Sequence, residues 1–206
     1  MMSSVANTEV TGRSAVEPST VATRRRDVVD AFVDLMLATG SPPVPEDVAA
    51  SAGVSRATFF RYFTSLDEFR NEVSERVIER FPELFSLPDA DAGPHETRIQ
   101  RFVDARFELH ETLHAFEMLG RAHAVRDPAS ADMVDAVRSV QADQVRSYFD
   151  AELLVHGPAR RDAIVAAIAV LTSVESWQQF RRSHGRSPLQ TRRAWRDALV
   201  KILDGS

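Results

Sequence analysis

Cysteine is absent from the chain, which excludes a disulfide framework, a thiolate metal site, an iron–sulfur cluster and a cysteine nucleophile. Lysine is almost absent: Lys201 is the only one, so 24 of the 25 basic residues are Arg. No apolar run approaches the roughly 20 residues that cross a bilayer. The opening MMSSVANTEVTGRSAVEPST holds no apolar signal core. Clean apolar/polar alternation is missing, and no Asn-Gly or Asp-Gly pair joins two such stretches, so strands are not expected. There is no Gly-rich phosphate loop and no Gly-x-Ser-x-Gly elbow. A global positive charge is lacking as well. The 206 residues carry a net −5, so any field that attracts nucleic acid must be local.

The sequence is otherwise that of a soluble globular protein, 44% hydrophobic and 27% charged. Its charge is uneven. Residues 21–81 hold 8 bases and 10 acids, residues 82–156 hold 7 and 14, and residues 157–206 hold 9 and 4. Residues 1–20 show no period and read as a disordered arm. From Thr23 the pattern is helical, so the fold class is all-α. The spacing predicts helices over 24–39, 45–51, 56–62 and 66–81, then over 95–111, 113–126, 129–155, 158–184 and 189–204. Gly40 is read as a left-handed cap, and Pro45 as a first-turn proline. Apolar residues cover about 240° of the 158–184 helix, too much for one covered side. A homodimer built on the last two helices is therefore expected, with Trp177 to Phe180 and Trp195 to Ile202 as its apolar faces.

The segment 45–63, PEDVAASAGVSRATFFRYF, reads as a helix-turn-helix. Val48 and Ala49 supply the crossing contact, Gly53 permits a positive-φ turn, and Phe59 and Phe63 bury the inner face of the second helix. A plain helical corner is the alternative, and exposed Phe60, Arg61 and Tyr62 fit it badly.

The stretch DVAASAGVSRATFFRYFTSLDEF within residues 23–77 resembles the N-terminal DNA-binding domain of the TetR family of bacterial repressors. The resemblance implies a reading head over 21–81, a connector helix, and a ligand-binding and dimerisation domain over 82–206. It places Thr58 at the DNA, puts Phe60 where many members carry a Tyr, and makes Tyr62 a phosphate contact. Ser55, Arg56, Ala57, Arg61 and Thr64 share that face. Leu66 and Val44 depart from the family pattern, and each removes a phosphate contact. Thr23, Arg24 and Arg25, with Arg26, are expected to replace them. Three bases at a helix start oppose the helix dipole and want a phosphate or an acid, the alternative being a solvated helix start.

The implied partners are a double-stranded DNA operator, a second copy of the chain and a small-molecule inducer, with no membrane, no cofactor and a cytoplasmic location. Phe102, Arg106, His110, His114, Met118, Tyr148, Glu175 and Trp177 are the candidate ligand residues. Phe102, Arg106 and His110 fall at i, i+4, i+8 on one helical line. That mixture suits a largely hydrophobic molecule with one or two hydrogen-bonding ends, unless these groups satisfy one another. Glu111 and His114 have a metal-helix spacing, and His110 and His114 are one turn apart, but no second such motif occurs and no metal is expected. Two further readings stay open: an activator or architectural DNA binder without a ligand, and a helical small-molecule-binding protein or enzyme. The enzyme would need a catalytic constellation that the sequence lacks.

Overall fold

The computed structural model describes residues 18–90 and 93–204. Most of the expected arm, residues 1–17, lies outside them. Pro18 to Thr20 are already helix, so α1 (Pro18–Thr39) starts a turn and a half before the expected point. Arg24, Arg25 and Arg26 therefore sit in its second and third turns, not at its N-terminus, and the helix-dipole objection to them lapses. Gly40 ends α1 at φ +66°, its N–H on the Met36 carbonyl at 2.9 Å.

The next three helices are set by local chemistry. α2 (Pro45–Ser51) opens with proline and carries Glu46 and Asp47 in its first turn. Gly53 turns the chain at φ +66°, and the Val54 N–H returns to the Ala49 carbonyl. Ser55 caps α3 (Arg56–Tyr62) by accepting from the Thr58 N–H at 3.1 Å. Ser65 caps α4 (Leu66–Arg80) by accepting from the Glu68 N–H. Four aromatic rings lock these helices together. Phe69 meets Phe32, Phe59 and Phe63 edge-on at 4.7–5.4 Å, over a core of Val28, Val33, Met36 and Val48.

A 3₁₀ turn (Pro82–Phe85) leads to α5 (His95–Ala124), a single 30-residue helix where two were expected. Nothing between 95 and 124 breaks it: Gly120 alone costs about 1 kcal/mol, which packing overrides. The other two long helices are instead interrupted. α6 (Pro128–Tyr148) stops at the buried Phe149, followed by the one-turn α7 (Asp150–Leu153). α8 (Pro158–Leu171) stops at Thr172, and Ser173 caps α9 (Val174–Gln178), which runs into a π turn (Gln179–Ser183). α10 (Pro188–Asp204) begins with a reciprocal cap between Ser187 and Gln190. Around α5 these helices close a second core from Ile99, Phe102 and Phe107 to Ile164, Ile168, Trp195 and Leu199. Trp177 and Trp195 are buried within the one chain, so they are not the spare apolar faces expected for a dimer. No single helix among the described residues is long and apolar enough to cross a membrane.

Gly53 has open space where a Cβ would stand, so replacing it tests the backbone alone. Gly53→Ala is expected to cost about 1–2 kcal/mol from the positive φ. Urea unfolding followed by circular dichroism measures it, and an unchanged midpoint would remove the turn constraint.

Candidate nucleic-acid interface

α3 divides cleanly into two faces. Phe59 points inward, with Phe63 just beyond the helix, while Arg56, Ala57, Phe60 and Arg61 are exposed. Phe60 keeps half its surface in solvent although its ring meets Phe59 edge-on at 5.2 Å. Arg56 holds Glu46 of α2 at 2.7 Å, an ion pair exposed on both sides and therefore easily surrendered to a phosphate. The Arg61 guanidinium lies 3.4 Å from the Thr58 hydroxyl and over the Tyr62 ring. Ser55 and Thr58 bond each other at 2.9 Å within the cap, so both hydroxyls already serve the local fold. Tyr62 is only half exposed and packs against the N-terminal core, a more structural position than expected.

The basic arm behaves differently from its expected role. Arg25 pairs with both Glu68 and Glu72 of α4, donates to the Tyr62 carbonyl at 2.8 Å, and lies over the Phe63 ring at 4.8 Å. It ties α1 to α4 and to the C-terminal end of α3. Both terminal nitrogens of its guanidinium are engaged within the chain. Arg26 pairs with Glu79 at 2.7 Å, and Arg24 remains exposed with Asp27 at 4.0 Å. Glu68 also accepts from the backbone N–H and hydroxyl of Thr64, which draws the expected contact residue Thr64 into the same brace. The α3–α4 joint is thus held from both sides.

Apart from Arg106, the expected ligand residues take their partners within the chain. Phe102, Tyr148 and Phe149 form one aromatic cluster with centroids 5.0–5.3 Å apart. His110 sits between the Glu117 carboxylate at 2.8 Å and the Thr172 carbonyl at 2.9 Å. Glu175 takes Arg121 and Arg138; burial opposes its charge, yet the two guanidinium groups hold its carboxyl down to about 2. His114 stacks on Trp177 at 4.6 Å, and the Trp177 indole N–H donates to Glu111. Met118 is half-buried. Of the eight, Tyr148 alone lines the hollow of about 380 Å³, and none lines the hollow of about 600 Å³ between α5 and α10. The basic cluster of 181–196 likewise pairs within the chain, Arg181 with Glu111 and Arg192 with Glu108 and Asp104.

Residues 110–114 also spell His-Glu-x-x-His, a zinc-helix pattern legible in the sequence. Here Glu111 is engaged by Arg181 and Trp177, and the Nε2 of His114 faces Arg182 at 3.2 Å. Among the described residues no three His, Cys, Asp or Glu side chains converge on a metal position.

The brace around Glu68 carries a pH signature. Arg25 first, and then Thr64, hold its carboxyl down to about 2, against an ordinary 4.5. A lowered folded-state value means that the contribution is complete above pH 4.5 and is lost as pH falls toward 2. Glu68→Gln is expected to be less stable than the parent at neutral pH, with the gap closing across that window. Denaturant melts at stepped pH read the gap, and one that stays constant down to pH 2 would remove the ion pair as its cause.

No protein-family model matches the chain. The HTH-type transcriptional repressor LfrR of Mycolicibacterium smegmatis is 28% identical over 85 residues, 41% of this chain and 44% of that repressor. The match therefore spans less than half of that relative's length. A TetR-family transcriptional regulator from Streptomyces coelicolor superposes with a TM-score of 0.64 at 21% identity, over 88% of this chain and 79% of that one. A transcriptional regulator from Rhodococcus sp. Rha1 gives 0.65 at 14% identity, over 88% and 96%. The multidrug binding protein EbrR, crystallised with imidazole, gives 0.51 at 19% identity, over 87% and 94%. On these superpositions the chain has the fold of a TetR-family transcriptional regulator.

Proposed function

We propose that this chain is a cytoplasmic DNA-binding transcriptional regulator of the TetR family, a repressor that holds a palindromic operator as a homodimer and releases it when a small molecule enters the second core. The observation that carries the reading is the outward face of α3. Two arginines, an exposed phenylalanine and a small residue stand clear on a helix of seven residues, anchored behind by Phe59 and braced by Ser55 and Arg25. A helix so held presents its side chains to a major groove without reordering. Arg56 and Arg61 supply phosphate or guanine contacts, and Phe60 an apolar contact to a thymine methyl. Arg24 adds a charge beside them; Arg25 and Thr64 serve by holding α3 in place.

The dimer reading is supported by α8. Ile164, Val165 and Ile168 face the core, while Ala163, Ala166, Ala167 and Val170 are exposed, Val170 at 70%. That is the second apolar side the sequence pattern calls for, lying on α8 and not on the tryptophans. Two heads on one palindrome bind with linked affinity, and a ligand that alters their separation removes the linkage.

Fluorescence anisotropy with duplex DNA from upstream of the chain's own gene tests the head. Arg61→Ala is expected to weaken binding and to lower the salt slope by about one, with the melting temperature unchanged. Tyr62→Phe is expected to weaken binding more mildly, through the loss of one hydroxyl. Unchanged affinity and slope in both variants would take α3 off the DNA. Sedimentation tests the assembly: Val170→Glu is expected to convert a dimer into a folded monomer, and a parent chain already monomeric at micromolar concentration would overturn the dimer. Reporter transcription from the same DNA separates repression from activation.

A further inference from the structure

Arg106 is the exception among the expected ligand residues. It is 4% exposed, yet its guanidinium makes one hydrogen bond, to the main-chain carbonyl of Gln141 on α6 at 3.1 Å. Among the described residues no carboxylate forms an ion pair with it. The acid that acts on it, Glu117, is committed to His110. Burial pushes its pKa down to about 10, with Glu117 offsetting only part of the cost from a distance. An arginine nonetheless stays charged at neutral pH. Buried charges are ordinarily paired, and this one is not.

Arg106 packs on an aromatic side chain. Its guanidinium lies over the Phe102 ring at 5.4 Å, and Phe102 packs on Tyr148 at 5.3 Å. Tyr148 in turn lines a surface hollow of about 380 Å³ with apolar Leu87 and Val140 and polar Asp143, Gln144 and Ser147, a hollow whose lining does not include Arg106. Against Phe107 and His110 of α5, the Trp195 indole N–H is fully buried in the same core and has no acceptor.

We propose that the second core binds an apolar molecule carrying a carboxylate, with Arg106 as its counter-charge. The assignment rests on the ligand response of the proposed function and names its chemical class. A carboxylate accepts two parallel N–H bonds from the guanidinium fork, a fit that the single Gln141 carbonyl does not provide. Phe102 and Tyr148 pack against the apolar body. A cationic ligand would instead meet an uncompensated like charge.

The test uses the full chain and three probes that share one ring, benzoate, benzamide and benzyltrimethylammonium. Benzoate alone is expected to raise the melting temperature, by about 5–10 °C at roughly 100-fold excess over its dissociation constant. Arg106→Met is expected to lose that rise and, without any probe, to melt higher than the parent, because it removes an unpaired buried charge. A merely structural arginine would lower the melting temperature on replacement. Equal stabilisation by benzamide or by the cation, or benzoate stabilisation retained in Arg106→Met, would overturn the anion site; the parent's three-probe comparison decides the matter even where the variant does not fold. DNA anisotropy is read separately. Benzoate binding without DNA release leaves the site standing and removes the ligand response, whereas release by the cation, indifferent to Arg106, keeps the response and overturns the site.

Discussion

Both hydrophobic cores of this chain close on the same helix. α5 gives Leu109 and Leu113 to the N-terminal core and Ile99, Phe102 and Phe107 to the second. The second core takes the earlier turns of the helix and the N-terminal core the later ones, with only Glu108 between Phe107 and Leu109. At about 1.5 Å per residue α5 is a rod of roughly 45 Å. In the proposed function that sharing is the link between ligand and DNA. A shift of α5 that makes room beside Arg106 also shifts Leu109, three residues on, against the helices that carry the reading head. The division between the two cores thus falls along the length of α5, near residue 108, and not in the loop at 82–94 alone.

The near-exclusive use of arginine gives the two cores different characters. Arg25 shows what the planar fork does well: two carboxylates and a carbonyl satisfied by one side chain, partly shielded by Phe63. A lysine would offer a point charge to the same three acceptors and fix their directions less firmly. Arg106 has the same fork in a drier place with one acceptor. The first arrangement stiffens the joint between α3 and α4. The second leaves binding capacity in the core.

Much of the N-terminal head was legible in the sequence because its boundaries are local chemistry. Gly40, Pro45, Gly53, Ser55 and Ser65 each act on their own turn, and the helices they bound fall within a residue of expectation, apart from the start of α1. The second half was read less well, because packing decides it. α5 continues through residue 112 where a break was expected, and the helix over 129–155 breaks at Phe149, which the core takes whole. The cap at Ser173 was readable in principle, but the apolar run on either side hid it. The same division holds for the site. The exposed face of α3 follows from its spacing, whereas Arg25, His110 and Glu175 take partners from segments 37 to 62 residues away, which leave no local signal.

The two halves also differ in what they leave unsatisfied. Among the described residues, the buried side-chain nitrogens without a hydrogen-bond partner lie on Arg98, His156, Arg192 and Trp195 and at Nε2 of His95, and none falls within residues 18–90. A buried donor without an acceptor costs about 1–3 kcal/mol. The head therefore carries no cost of this kind and is preorganised for a rigid surface such as a duplex. The second half carries several such costs, on α5, on α10 and at His156 before α8. A molecule that brings oxygen atoms into that core relieves a cost already present, so part of its binding energy is stored in the fold before it arrives. The shared α5 then determines where that relief is felt, because its later turns pack in the N-terminal core.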